Sequence, residues 1–158
     1  MIIAVIYIII SFLLDGIMSN IISFNLVDPS YLKTIYSVVA LVIIYNYLTI
    51  LIVLGIFFDI VYTNTFILNI VVFFITYLIL SSVDYLIPNN LLTINLKSLV
   101  AIYSYHILTY IILLLANYNH YNIKLLGMIL IRSIIMTIIY TTISYLIMNK
   151  IYDNKRIK

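Results

Sequence analysis

The sequence predicts an all-α integral membrane bundle of about six transmembrane helices, some of them short. Three observations carry this prediction: 66% of the 158 residues are hydrophobic, only 8% are charged, and the mean hydropathy is +1.25. Soluble domains carry about 25% charged residues, so this chain could not hide its apolar surface from water. Apolar runs near the ~20 residues that cross a bilayer recur along its length. We therefore expect residues 1–158 to form a single transmembrane domain embedded in the lipid bilayer.

The N-terminal half contains one ordinary span and one segment of awkward length. Ile2–Phe24 is long enough to cross the bilayer, and without a basic start or a cleavage site it is expected to be retained. The loop at residues 25–33 offers Ser30 as the N-cap of the next helix. As one helix, Thr34–Tyr62 would be about 44 Å long, beyond the ~30 Å hydrocarbon core. We favour two short helices meeting near residues 45–47; one steeply tilted helix, giving five spans, is the alternative.

The C-terminal half divides into clear spans separated by polar breaks. In chain order we predict a span at Phe66–Leu86, a short loop at Leu91–Lys97, a span at Ser98–Ala116, a polar loop at Asn117–Lys124, a span at Leu125–Met148 and a basic tail at Lys150–Lys158. Half of the basic residues lie in that tail, so the positive-inside rule predicts a cytoplasmic C-terminus, and six spans make the N-terminus cytoplasmic too. The net charge of +3 is too small to indicate nucleic-acid binding.

Three charged residues are predicted to lie at membrane depth: Asp15, Asp59 and Arg132. A charge in lipid is costly and should face protein or water. The favoured hypothesis is structural: Arg132 pairs with Asp59 or Asp15 and pins the helices together. The alternatives are an ion or proton pathway, to which His106 would be the only added group, and a substrate site. Asp84 is nearer a helix end and is expected to reach the headgroups.

Small polar residues follow one face of the last predicted span. They step by four, four and three residues: Ser133, Thr137, Thr141 and Ser144. Such a stripe allows close packing and interhelical hydrogen bonds, and a lumen-lining role is the less favoured alternative. The chain has no cysteine, no glycine-rich phosphate loop and no nucleophile beside a base. We therefore predict no enzymatic activity, no cofactor and no metal site.

The stretch Ile50–Phe74 combines a glycine, an acid and an asparagine within apolar sequence. Gly55 precedes Asp59 by four residues and so lies on the same helix face, where its missing side chain would let a neighbouring helix approach closely. A short polar break at residues 62–65 follows, and the second apolar run carries Asn69. This hairpin is expected to form the packed centre of the bundle.

In this pattern the chain resembles the rod shape-determining protein MreD family. The resemblance rests on Gly55 and Asp59, the turn at Tyr62-Thr63, the following Asn69, and the layout of an early polar-broken helix, a short helix pair and a basic tail. It implies a non-enzymatic component of the bacterial cell-elongation machinery for peptidoglycan synthesis, located in the cytoplasmic membrane. The implied partners are an MreC-like protein, MreB, RodA and a penicillin-binding transpeptidase.

The resemblance also implies an architecture similar to the S-components of energy-coupling-factor transporters. A small-solute (vitamin) binding subunit of such a transporter is accordingly the alternative function. Under the scaffold hypothesis, five residues are expected to serve packing or partner docking: Gly55, Asp59, Asn69, Asp15 and Arg132.

Overall fold

Helices make up almost all of the chain that the computed structural model describes, which is residues 2–22, 34–43, 48–63, 67–88, 90–116 and 123–156. They are α1 (Ile2–Ile22), α2 (Ile35–Ile43), α3 (Leu48–Phe58), α4 (Leu68–Leu86), α5 (Leu91–Leu115) and α6 (Ile123–Arg156), with a π-helical turn at Asp59–Thr63 continuing α3. These residues contain no strand, which confirms the all-α prediction for the part described. In the described part of the chain, three stretches are long and apolar enough to cross a membrane: α4, α5 and Leu126–Ile151 within α6.

The outer surface of the bundle is apolar, while many hydrogen-bonding side chains lie inside. Ile60, Ile131 and Ile135 are each about two-thirds exposed, at 68%, 69% and 66%. Ser98 and Thr137, in contrast, are completely buried. Large exposed apolar faces mark contact with a membrane or with other proteins. The distribution is therefore the one that a lipid environment favours.

Helices α4 and α5 form an antiparallel hairpin with a tight, self-capped connection. The side chain of Asn90 accepts a hydrogen bond from the Thr93 backbone N–H (2.9 Å), and the Thr93 hydroxyl accepts one from the Asn90 backbone N–H (2.9 Å). This reciprocal capping box starts α5 at Leu91. The predicted loop at Leu91–Lys97 is therefore wrong. Its polar residues cap and support a helix rather than interrupt it.

Helix α6 returns antiparallel to α5 and is longer than predicted. The amide of Asn95 donates a hydrogen bond to the Thr142 hydroxyl (3.2 Å), which fixes the register of the two helices. The predicted polar loop lies largely at residues 117–122, outside the described residues. The last stretch that is apolar enough to cross a membrane, Leu126–Ile151, is close to the predicted span, and the helix itself continues beyond it through basic residues to Arg156.

The chain reverses direction between the start of α2 and the end of the π-helical turn. Asp15 of α1 accepts hydrogen bonds from the first turn of α2 at Tyr36. Tyr62 donates a hydrogen bond to the Phe12 carbonyl, one turn away on the same helix (2.8 Å). A single straight helix from Tyr36 to Tyr62 would separate these ends by about 40 Å. The favoured prediction of two short helices therefore holds over the single tilted helix, although the predicted junction at residues 45–47 lies outside the described residues.

Helix α2 is the most deeply buried element among the described residues. All eight residues from Ile35 to Val42 are buried, and the helix packs against α1, α5 and α6. Helix α3 instead packs against α4. Aromatic rings fill the space beside them, with Phe58 meeting Phe12 and Phe73 edge to face at centroid distances of 5.2 and 5.4 Å. Helix α2 thus lies at the centre of the fold. The prediction that the Ile50–Phe74 hairpin forms the packed centre is wrong, because one face of α3 and the turn that follows it is exposed at Val53, Phe57 and Ile60.

Candidate functional site

Asp59 is buried at the first position of the π-helical turn and binds the first turn of α4. Its Oδ1 accepts hydrogen bonds from the backbone N–H of Asn69 (3.0 Å) and from the Asn69 side-chain amide (2.9 Å). The residue preceding α4, Ile67, provides no side-chain cap. The N–H groups of a helix's first turn have no intrahelical partner, and no water is available to them inside a membrane. Asp59 therefore acts as a remote N-cap of α4.

Tyr105 extends this contact to a third helix. Its hydroxyl, on α5, donates a short hydrogen bond to the Asn69 side-chain oxygen. Asp59, Asn69 and Tyr105 are only 2%, 0% and 4% exposed. The bonds Tyr105 to Asn69 and Asn69 to Asp59 thus join α5, α4 and the end of α3 in one buried chain. The sequence analysis missed Tyr105, because nothing local distinguishes it among 16 tyrosines except its place on the buried face of α5.

Gly55 provides the close approach of α3 and α4 that the sequence predicts. A Cβ atom added to Gly55 would lie 2.8 Å from the Ile70 Cα and 3.1 Å from the Ile70 backbone nitrogen. Backbone atoms cannot move aside as the tip of a side chain can, so only glycine fits between the helices at this point. Gly55 and Asp59 therefore act on the same neighbour, one by leaving space and the other by capping.

Asp15 makes the equivalent contact with α2. It is fully buried, and its two carboxylate oxygens accept hydrogen bonds from the backbone N–H groups of Tyr36 (2.9 Å) and Ser37 (2.8 Å). These are the second and third residues of α2, where the helix dipole favours a negative charge. Ser30, the predicted N-cap, lies outside the described residues, and Asp15 supplies acceptors from the preceding helix.

The ion pair predicted between Arg132 and Asp15 or Asp59 is not formed. Arg132 is exposed on α6 and belongs to no ion pair of the described residues. The carboxylates of both aspartates instead face helix N-termini. The partial positive charge and the aligned N–H donors of a helix N-terminus compensate the carboxylate. Of the five predicted site residues, the structure brings together Gly55, Asp59 and Asn69. It places Asp15 at a second, similar contact and leaves Arg132 apart.

Within the described residues, the ion pair that does form lies at the other end of α4. Lys97 of α5 donates to the Asp84 carboxylate and to the Ile87 carbonyl (2.9 Å). Lys97 is 3% exposed and Asp84 is 23% exposed. Asp84 therefore fastens the α4–α5 connection through a lysine that the sequence analysis had placed in a loop.

The small polar stripe of α6 is buried, and its hydroxyls bond mainly within their own helix. Ser133 donates to the Leu130 carbonyl (2.8 Å), and Thr137 donates to the Ser133 carbonyl (2.6 Å). A bond between helices is made instead by Tyr140 and Ser11, whose hydroxyls lie 2.8 Å apart. The burial of the stripe agrees with the predicted close packing. Ser133 and Thr137 do not form the predicted hydrogen bonds between helices.

His106 is buried in α5, and its Nε2 atom makes no hydrogen bond to a described residue. His106 is 6% exposed, and that nitrogen has no partner among the described residues. The same is true of the hydroxyls of Ser98 and Thr141. No group of three His, Cys, Asp or Glu residues in the described part of the chain is placed to hold a metal ion.

Comparisons with protein-family models, with curated proteins and with solved structures return no match. The fold and the site define a helical bundle in which, over the residues that the structure describes, three helices are long and apolar enough to cross a membrane. Within it, two buried carboxylates each cap the start of another helix.

Proposed function

We propose that this protein is a non-enzymatic scaffold of the bacterial cell-elongation machinery, similar to the MreD family. In this proposal it lies in the cytoplasmic membrane and binds an MreC-like protein, in a complex with MreB, RodA and a penicillin-binding transpeptidase. The supporting observation is that Gly55, Asp59 and Asn69, the residues of the resemblance, converge in one buried contact. Asp59 in that contact is engaged by hydrogen-bond donors, as expected of a packing element.

The proposed orientation places both termini in the cytoplasm. Half of the basic residues lie after Met148, and Lys97 lies at the same end of the bundle as the C-terminal part of α6. The positive-inside rule favours this end as the cytoplasmic one. The Asp59 contact then lies in the half of the bundle that faces away from the cytoplasm.

The scaffold function is tested by association and by cell shape. Depletion of the protein should convert rods to rounded cells, and the tagged chain should co-purify with the MreC-like partner from solubilised membranes. The Asp59→Ala variant should lose most of that co-purification at equal membrane abundance. Gly127→Ala should not, because a Cβ at Gly127 meets nothing within 4 Å. Unchanged rod shape after depletion, together with no co-purification of the MreC-like protein with the tagged chain, would refute the proposal.

One observation favours the alternative, a small-solute binding subunit. The buried polar atoms of Ser98, His106 and Thr141 have no partner among the described residues. Unpartnered buried polar groups are costly, and a bound solute or water could satisfy them. Binding of a vitamin by the purified protein, lost in His106→Ala but kept in Asp59→Asn, would support this alternative over the scaffold.

A further inference from the structure

Arg132 lies on a face of α6 that is otherwise apolar. Its exposed neighbours one turn before and one turn after are Met128 and Ile135, at 49% and 66% exposure, and Ile131 beside it is 69% exposed. Arg132 itself is exposed and takes part in no ion pair of the described residues. A permanently charged guanidinium on a lipid-facing surface needs an anion or water. The question is which anion lies within its reach.

The register of α5 and α6 gives the depth of Arg132. Asn95 of α5 and Thr142 of α6 are hydrogen-bonded, and the two helices are antiparallel. Tyr105 follows Asn95 by ten residues, and Arg132 precedes Thr142 by ten residues. Arg132 therefore lies opposite Tyr105, whose hydroxyl reaches Asn69 in the first turn of α4. Side chains on a helix lean toward its N-terminus. Because α6 begins at the end of the bundle where α4 begins, the Arg132 side chain leans outward from the hydrocarbon.

A second cation lies on the same face at the opposite end. Lys150 follows Arg132 by eighteen residues, which is five full helical turns, and it is also exposed. The distance along the helix is about 27 Å, close to the ~30 Å thickness of the hydrocarbon core. Between the two cations this face carries apolar side chains that are each at least half exposed: Ile135, Ile139, Ile143 and Leu146.

We propose that Arg132 binds the phosphate of an anionic phospholipid, while Lys150 lies near the headgroup layer of the opposite leaflet. A guanidinium presents parallel N–H donors that match two phosphate oxygens, which makes arginine well suited to this ligand. A partner's carboxylate would require a second protein on this face, whereas the spacing of the two cations, about 27 Å, is close to the ~30 Å thickness of the hydrocarbon core between the two headgroup layers. The inference does not depend on the scaffold function.

Lipid binding is tested on the full chain in nanodiscs of phosphatidylcholine containing one quarter phosphatidylglycerol. Native mass spectrometry should show phosphatidylglycerol retained in preference to phosphatidylcholine. Arg132→Gln should reduce that preference about fivefold, as expected for one basic residue near the phosphates, and Arg132→Lys should keep most of it. Lys124→Gln is the matched control, because it removes the same charge eight residues earlier on α6 and should change the preference less than twofold.

The absence of cysteine from the chain allows a separate measurement of depth. In freeze–thawed proteoliposomes, a membrane-impermeant maleimide should modify the Met128→Cys variant and leave Ile135→Cys unmodified. Equal lipid preference in Arg132→Gln and wild type, or an equal loss in Lys124→Gln, would overturn the proposal. Protection of both cysteine variants would also overturn it, since Arg132 would then lie deep enough to require a partner's carboxylate.

Discussion

Asp15 and Asp59 place their carboxylates against backbone N–H groups of other helices rather than against a cation. Asp15 receives two backbone donors from α2, and Asp59 receives one backbone and one side-chain donor from Asn69. A helix N-terminus carries about half a positive charge together with oriented donors that water cannot satisfy inside a membrane. Each acid thereby compensates a helix start, and each helix start compensates an acid. Arg132 is not required for either.

Replacing Asp59 should separate the hydrogen-bonding role from the charge. Asp59→Ala leaves the Asn69 backbone N–H without its acceptor and should lower the free energy of unfolding by about 1–2 kcal/mol. Asp59→Asn keeps an acceptor oxygen and loses only the charge–dipole attraction, so its cost should stay below about 1 kcal/mol. Unfolding of the purified protein by SDS in mixed micelles provides the measurement. An equal cost for both variants would contradict a capping role.

A substitution at Tyr105 tests the third residue of the hydrogen-bonded series Asp59–Asn69–Tyr105. Tyr105→Phe removes only the hydroxyl that donates to Asn69 and should cost about 0.5–1.5 kcal/mol. If the bonds act as one chain, combining it with Asp59→Ala should cost less than the sum of the two single changes. Strict additivity in the same SDS unfolding experiment would show that the two bonds are independent.

At the scale of the helices, the sequence predicted most elements and missed the contacts that start two of them. Apolar runs of spanning length and the break at residues 62–65 indicated the helices because hydropathy is a local property. N-cap rules inspect the residue just before a helix, but the acceptors of α2 and α4 come from Asp15 and Asp59, 21 and 10 residues away from Tyr36 and Asn69. Such remote caps leave no local signal. Because these caps are not visible in the sequence, a cation was expected for the two acids, and Arg132 suggested an ion pair.

Gly55→Ala should push α3 and α4 apart. The new methyl group would lie 2.8 Å from the Ile70 Cα, so one helix backbone must move, and overpacking of this kind costs about 1–3 kcal/mol. Gly127→Ala is the control within α6, where the site is open and alanine favours the helix, so stability should be unchanged or rise by up to about 1 kcal/mol. Comparable losses of SDS resistance in both variants would contradict the close approach at Gly55.

Asp15→Ala should loosen the start of α2 specifically. The N–H groups of Tyr36 and Ser37 would lose their acceptors, so their amide hydrogens should exchange faster in deuterated detergent solution. Amides in the middle of α5, such as that of Ile102, should exchange at the wild-type rate. Asp15→Asn, which retains one acceptor oxygen, should show an intermediate effect. Unchanged protection at Tyr36 in Asp15→Ala would show that another group caps α2.

At the scale of the whole molecule, α1 and α3 run in the same direction with α2 returning between them. The ring of Phe12 on α1 contacts that of Phe57 on α3 at a centroid distance of 6.2 Å. Tyr62, in the π-helical turn that follows α3, donates a hydrogen bond to the Phe12 carbonyl. An apolar groove of about 460 Å³ follows the two helices from Val5 and Val53 toward their C-terminal ends. The parallel direction of α1 and α3 requires the chain to reverse within residues 34–62, which a single tilted helix would not do.

Four exposed positions allow the parallel arrangement to be measured. Spin labels attached through Val5→Cys with Val53→Cys, or through Ile17→Cys with Val61→Cys, should give short distances by electron paramagnetic resonance. The crossed pairs, 5 with 61 and 17 with 53, should be longer by about 10 Å, because eight or more residues of helix then separate the labels. Short distances for the crossed pairs and long ones for the direct pairs would refute the reversal.

In both acid caps the ribosome delivers the carboxylate before the helix start that it caps, and the separation along the chain differs: Tyr36 follows Asp15 by 21 residues, and Asn69 follows Asp59 by 10. Asp15 is synthesised before Tyr36, so α2 can be capped as soon as its first turn leaves the translocon. Asp59 in the same way gains its donors only when the start of α4 follows, and Asn69 is synthesised ten residues after it. Insertion of the α4–α5 hairpin, which closes on its own capping box, is then the event that completes the end of α3.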